Sequence, residues 1–366
     1  MEQVGANKDV AIPPDRLRLQ NIMVRYGNYT ALDNIDLVVR PGEFLSLLGP
    51  SGSGKSTILN VINGAARPDS GAVLIDGRNV TDTPARDRGL GMVFQNYALL
   101  PHMNVFENIA FPLRIRKWSA ARIEQAVAAI LVRMGLEGFA RRKPQELSGG
   151  QQQRVGIARC LVYSPNIILM DEPLGALDKN MREQMQDEIK TLHRATGATF
   201  VYVTHDQEEA LNLSDRICLM NRGRIEQIGS PQEMYFTPVS EFAATFLGEA
   251  NILAGQLVTP TLFRSDCGMS IHVQGKAGIA VGGPARLLLR PEHIMQLDPS
   301  VDTPNRFVFT VKSVNFVGGF IRVLVHGRNN VQLQFKARAH SHYAALQEES
   351  EIHLGWLPSD TILLPA

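Results

Sequence analysis

An α/β fold with a mostly parallel sheet, followed by a small all-β domain, is predicted by three observations. An apolar run, FLSLL (Phe44–Leu48), breaks into the glycine-rich loop GPSGSGKST (Gly49–Thr57) and then into a helical pattern. Short apolar runs then alternate with helical stretches to about residue 220, which argues for parallel strands joined by helices. Past about residue 240 the pattern becomes a clean apolar–polar alternation, which argues for antiparallel strands. At 366 residues the chain is long enough for about two domains.

In chain order, residues 1–14 read as a loose tail ending in Pro13-Pro14. From about 15 to 95 the pattern is strand-rich, with turn signals at Tyr26-Gly27-Asn28, Pro41-Gly42 and Asp76-Gly77. The glycine-rich loop opens a helix from Lys55 to about Asn63, stopped by Gly64. Between about 96 and 158 the character is helical, and Ile123, Val127, Ile130 and Leu131 mark one apolar face. Strands follow at Ile167–Met170, Phe200–Val203 and Ile217–Met220, with helices after Asp178 and Asp206. In the last part, FVFTVKSV (Phe307–Val314) and FIRVLV (Phe320–Val325) flank Gly318-Gly319, and VQLQFK (Val331–Lys336) alternates cleanly. These predict a small antiparallel β domain, for which a barrel is one arrangement.

Composition excludes several classes. Hydrophobic residues make up 44% and charged residues 20%, ordinary for a globular chain. A net charge of +1 gives no electrostatic reason to expect nucleic acid as a partner. Three cysteines far apart, with no C-x-x-C spacing, argue against zinc and disulfides and for a reducing cytosol. The N-terminus lacks an apolar signal core, and no run reaches the length of a spanning helix. If the chain works at a membrane, another subunit must cross it.

The loop fits G-x-x-x-x-G-K-[ST], with Gly49, Gly54, Lys55 and Ser56 at the constrained places. Glycines let successive N–H groups converge on phosphate oxygens, and the following helix adds its positive dipole end. Pro50, Ser51, Gly52, Ser53 and Thr57 complete the cradle. Lys55 would reach the β- and γ-phosphates, and the Ser56 hydroxyl would ligate Mg²⁺. NIILMDEP (Asn166–Pro173) reads as a buried strand ending in two acids: Asp171 to hold the Mg²⁺ hydration shell, Glu172 to polarise an attacking water. LSGGQQQR (Leu147–Arg154) is a capping box in which Ser148 caps and Gln151 reaches back. Gly149 and Gly150 are poor helix formers, but they suit a helix N-terminus bared to an anion. That makes two phosphate-facing sites in one chain.

Taken in order, GPSGSGKST, LSGGQ, IILMDEP and the later His205 resemble the ATP-binding cassette (ABC) ATPases over about residues 15–366. The resemblance implies a P-loop NTPase with a RecA-like core, an antiparallel β part and a helical insert, spanning 15–240, with the helical subdomain at about 96–158. It implies an OB-like (TOBE) domain over 241–366. It also implies a head-to-tail homodimer that sandwiches two ATP molecules, each between one subunit's P-loop and the other's Ser148-Gly149-Gly150-Gln151. By the same resemblance, Tyr26 stacks on adenine, Gln95 contacts Mg²⁺ and senses the γ-phosphate, His205 is the switch histidine, and Asp178 lies in the loop that crosses the interface. Three departures stand out: Gly175 replaces a common serine, and Gly156 and Cys160 stand where small alanines are usual.

The stretch LLLRPEHI (Leu287–Ile294) and the hinge before it resemble the maltose/polyamine/iron class of importer ATPases. GEANIL (Gly248–Leu253) most resembles the spermidine/putrescine members. The implied function is ATP hydrolysis that powers import through two separate permease subunits fed by an extracytoplasmic solute-binding protein. The implied location is peripheral, on the cytoplasmic face of the inner membrane. Residues around Asn96–Phe106 are the expected permease contact. Import of a sugar, iron(III), sulfate or phosphonate, or a soluble ATP-dependent regulatory role, are the alternatives.

Overall fold

The computed structural model describes residues 15–175, 177–275, 279–298, 303–339 and 346–366; the expected tail lies outside the described residues. The chain divides into two compact units, the first ending at Pro231 and the second beginning at Gln232.

The first unit opens with a hairpin of β1 (Leu17–Tyr26) and β2 (Tyr29–Val39), turned at Gly27 with φ 59°. After β3 (Phe44–Leu48) come α1 (Lys55–Asn63), β4 (Ser70–Ile75), β5 (Arg78–Asn79) and β6 (Gly91–Val93). The helical part follows as α2 (Val105–Ile115), α3 (Ala120–Arg133) and α4 (Gly149–Leu161). Then β7 (Ile167–Asp171), α5 (Lys179–Thr196), β8 (Thr199–Thr204), α6 (Gln207–Leu213), β9 (Arg216–Asn221) and β10 (Arg224–Gly229) close the unit.

Among the described residues these strands form an antiparallel sheet β2-β1-β4-β5 and a larger sheet β10-β9-β3-β8-β7-β6. In the larger sheet β9, β3, β8, β7 and β6 run parallel, and β10 alone is antiparallel. Every residue of β3 and β8 is buried, as expected for continuous apolar runs covered on both faces. One core joins the hairpin sheet and α1 to the parallel sheet. A second joins the other face of that sheet to α2, α3, α4 and α5. The buried face of α3 is the expected set, Ile123, Val127, Ile130 and Leu131.

Of the unusual small residues, Cys160 acquires a packing reason and Gly156 does not. A Cβ at Gly91 would collide with Cys160 Sγ and lie 2.9 Å from Pro165 Cγ, so the thiol fills space that residue 91 leaves open. A Cβ at Gly156 would lie 3.6 Å from Tyr97 Cβ, an ordinary contact. Gly156→Ala is therefore expected to stabilise α4 by up to about 1 kcal/mol and raise Tm by about 2–4 °C in calorimetry. An unchanged or lower Tm would show that the site needs the glycine.

All of α7 (Pro231–Phe236) but its first residue lies in the second unit, and α8 (Glu241–Phe246) follows. Tyr235 of α7 is bound within this unit: its ring lies 4.2 Å from the Arg290 guanidinium and its hydroxyl bonds Glu292. The strands are β11 (Asn251–Thr259), β12 (Leu262–Ser265), β13 (Ser270–His272), β14 (Pro284–Leu289), β15 (Met295–Gln296), β16 (Asn305–Val317), β17 (Phe320–His326), β18 (Gln332–Arg338), β19 (Glu351–Trp356) and β20 (Thr361–Pro365). They form two antiparallel sheets, β13-β12-β11-β14-β20 and β15-β19-β16-β17-β18, around one core that includes Phe263, Phe335 and Trp356. Buried Arg290 of the RPEH stretch donates to the carbonyls of Ala244, Glu249 and Tyr235, which ties both short helices to the strands.

Candidate functional site

Four neighbouring parallel strands deliver their carboxyl ends to one edge of the sheet. β3 leads into the glycine-rich loop, β7 ends at Asp171 and Glu172, β8 is followed by His205, and β6 by Gln95. Ligands bind at this edge in open α/β sheets. Beside it lies a cleft of about 340 Å³ lined by Tyr26, Tyr29, Ala31, Ser51, Gly52, Gly54, Lys55, Ser56, Thr57 and Glu172.

Backbone geometry builds the floor of the cleft. Gly54 caps α1 in a left-handed conformation, φ 105°, with no side-chain cap, so the first N–H groups of the helix stay available. A Cβ there would lie 2.7 Å from Leu32 Cδ2 and 2.8 Å from Ala31 O, so the loop admits only glycine. At Gly49 a Cβ would collide with the Met220 carbonyl. Ser53 is buried in the loop, its N–H donating to Pro50 O at 3.2 Å.

Lys55 is 6% exposed, and its Nζ donates to Gly49 O at 2.7 Å and Pro50 O at 3.0 Å. Burial lowers its pKa, while the charges of Glu172 and Asp171 push it back up. Asp171 is shifted the other way: burial and then Glu172 raise its pKa, against a hydrogen bond from Ser56 and the charge of Lys55. Glu172 stands at φ 43°, with its N–H donating to Val203 O at 3.0 Å. This left-handed turn, which costs a non-glycine residue about 1–3 kcal/mol, takes Glu172 out of line with β7. Its Oε2 lies 3.2 Å from His205 Nδ1 and accepts from Gln95 Nε2 at 3.5 Å.

The segment after β8 is itself braced. Buried Glu209 accepts from Tyr202 and Thr204 hydroxyls, each at 2.8 Å, and Arg182 pairs with Asp206 at 3.1 Å while donating to Leu177 O at 3.2 Å. Burial raises the Glu209 pKa, and the two hydroxyl donors oppose that shift.

Ser148, Gly149, Gly150, Gln151 and Asp178 do not line the cleft. The capping box of α4 is formed, with Ser148 N–H donating to Gln151 Oε1 at 3.0 Å and Gln151 N–H to Ser148 Oγ at 3.4 Å. Asp178 caps α5 by accepting from Met181 N–H at 3.0 Å. The two helix starts are neighbours: a Cβ at Gly149 would lie 3.8 Å from Leu177 Cδ2. At Gly175 a Cβ would lie 3.6 Å from Glu172 O and 3.8 Å from Gln95 Nε2, so the backbone would accept a serine there.

Sequence reasoning missed Tyr29, which lines the cleft with Tyr26 and donates its hydroxyl to Gly52 O at 3.1 Å. The signal was present, since Tyr26-Gly27-Asn28-Tyr29 is a tight hairpin that brings both rings to one end of the strands.

Spermidine/putrescine import ATP-binding protein PotA of Thermobifida fusca is 43% identical over 99% of this chain and 96% of its own length. The chain belongs to the ABC transporter family. The ABC transporter family model matches residues 32–175, and the TOBE domain model matches residues 287–364. The protein of the same name from Nitrosomonas eutropha is 40% identical over 87% of this chain and 89% of its own. Among the solved structures that match, two cover about three fifths of the chain. One is cbiO1 from Clostridium perfringens, part of the ABC transporter complex cbiONQ, with TM-score 0.57 and 28% identity over 60% of this chain and 90% of that one. The other is the ATP-binding cassette MJ0796, a dimer in a post-hydrolysis state bound to ADP and Pi, with TM-score 0.53 and 38% identity over 59% and 98%. Among the described residues of this ABC protein, no helix is long and apolar enough to cross a membrane.

Proposed function

We propose that the chain is the ATP-hydrolysing subunit of a polyamine importer. The observation that carries the ATPase part is the single sheet edge where Lys55, Asp171, Glu172, His205 and Gln95 meet beside a cradle that only glycine can build. The N–H groups of the loop and of α1 bind the phosphates, with Lys55 spanning the β- and γ-positions. Glu172 accepts the proton of the attacking water, and His205 and Gln95 fix its carboxylate. Ser56 at the start of α1 and Asp171 at the end of β7 are hard oxygen donors of the kind Mg²⁺ takes. Gln95 spends its amide nitrogen on Glu172, which leaves its carbonyl oxygen for the same ion. Bound there, Mg²⁺ supplies charge neutralisation of the phosphates.

Ser148–Gln151 and Asp178 stand apart from their own cleft and face the partner's nucleotide in a head-to-tail dimer. A groove of about 360 Å³ near α2 and α4 suits a short permease helix. Of the expected contact stretch, Ala98 and Leu100 line it; Phe111 and Ile115 of α2, both exposed, add the apolar wall. The cargo reading rests on the relatives named for spermidine/putrescine import. A peripheral position at the cytoplasmic membrane face, two permease subunits and an extracytoplasmic binding protein belong to the same proposal.

Two measurements test it. In reconstituted complex, the spermidine-loaded binding protein is expected to raise ATP turnover; stimulation only by a sugar-, iron- or anion-loaded one would overturn the polyamine assignment. For adenine stacking, Tyr26→Ala is expected to weaken nucleotide binding by about 1–3 kcal/mol, roughly 5- to 150-fold in Kd. Tyr29→Phe, which keeps the ring, is expected to cost only about 1 kcal/mol. An unchanged Kd for Tyr26→Ala with a large loss for Tyr29→Ala would move the stacking role to Tyr29.

A further inference from the structure

Just after Gln95 the chain makes two successive left-handed residues, Tyr97 with φ 59° and Ala98 with φ 43°. Neither is glycine, so both backbones occupy a region that a Cβ crowds. The turn is tight: Tyr97 N–H donates to Phe94 O at 3.0 Å and Ala98 N–H to Asn96 O at 2.7 Å. Tyr97 is 7% exposed, and its hydroxyl has no hydrogen-bond partner among the described residues. The loop is therefore costly in two respects, conformation and desolvation.

What holds it comes from 61 and 62 residues away. The guanidinium of Arg159, on α4, donates from Nη1 to Ala98 O at 2.7 Å and from Nη2 to Tyr97 O at 2.8 Å. Both bonds go to the carbonyls of the two left-handed residues. A planar fork fits two adjacent carbonyls in a way that a lysine ammonium, a single point donor, does not.

We infer that Arg159 is a positioning residue for ATP hydrolysis: its fork holds the loop after Gln95 in this turn and so sets where the Gln95 amide meets Glu172. The inference rests on the reading of Gln95 as part of the ATP site. Arg159 and Ala98 also border the groove near α2, so the loop is held at its junction with that surface.

The test uses the importer complex reconstituted with the full chain and with three variants of it: Arg159→Lys, Ala98→Gly and the two combined. Arg159→Lys is expected to lower kcat on the order of tenfold, since small misplacements of catalytic groups act on the chemical step, with KM for ATP changed less than about threefold. Adding Ala98→Gly, which lets residue 98 adopt positive φ without strain, is expected to restore most of the lost kcat. A purely structural role would lower Tm without that rescue. Full turnover in Arg159→Lys would overturn the inference, as would failure of Ala98→Gly to restore kcat. If Arg159→Lys alone does not fold, the double variant decides. Recovered folding and turnover support the inference, and a double variant that still does not fold assigns Arg159 to general packing. A wild-type complex without ATP turnover would instead overturn the ATPase reading.

Discussion

Glu172→Gln is expected to cut ATP turnover by about 10²–10⁴-fold, the usual contribution of a positioned general base. The substitution keeps the size and shape of the side chain and removes only its ability to take a proton. Its neighbours argue for that selectivity. Oε2 lies 3.2 Å from His205 Nδ1 and 3.5 Å from Gln95 Nε2, and an amide oxygen can accept from both. The φ of 43° is no harder for glutamine than for glutamate, so the fold should persist. Nucleotide binding should persist too, because the cradle is built from glycine backbone and Lys55. The variant should therefore hold ATP and accumulate as a dimer. Steady-state hydrolysis measured beside size-exclusion chromatography with and without ATP checks both parts. Hydrolysis near the wild-type rate would sink the base assignment, whatever the oligomeric state.

Lys55→Ala is expected to act earlier, on binding. Hydrogen bonds to charged groups contribute about 1.5–3 kcal/mol, on the order of 10- to 100-fold in Kd. The lysine is buried, and burial alone would favour its neutral form; Glu172 and Asp171 oppose that and favour the charged one. Removing the ammonium leaves those two acids facing an anionic ligand without compensation. The loss should therefore be larger for ATP than for adenosine, which carries no phosphate. Calorimetric titration of both ligands separates the cases. Equal losses for the two would indicate a damaged cleft, and no loss for ATP would overturn the phosphate role of Lys55.

Much of the site was legible because its logic is local. A strand followed by glycines and Lys55-Ser56, an apolar run ending in Asp171-Glu172, and Ser148 three residues before Gln151 all express constraints within a few residues of backbone. The α3 face was legible for the same reason, since helical periodicity is a property of one segment. The place of Tyr235 was less so. Tyr235 belongs to the second unit through Arg290 and Glu292, more than fifty residues on, and nothing in SPQEMYF announces that.

What the sequence determined by itself was the set of elements, the phosphate loop and the identity of the acids, because φ preferences, caps and periodicity are written in neighbouring residues. What only the tertiary structure decided was which distant groups complete them: Tyr29 on Gly52, Cys160 in the space beside Gly91, and Arg159 on the carbonyls of Tyr97 and Ala98. These contacts join a side chain to a backbone or a gap elsewhere in the fold. A carbonyl or a missing Cβ carries no residue-specific pattern, so packing alone reveals its partner.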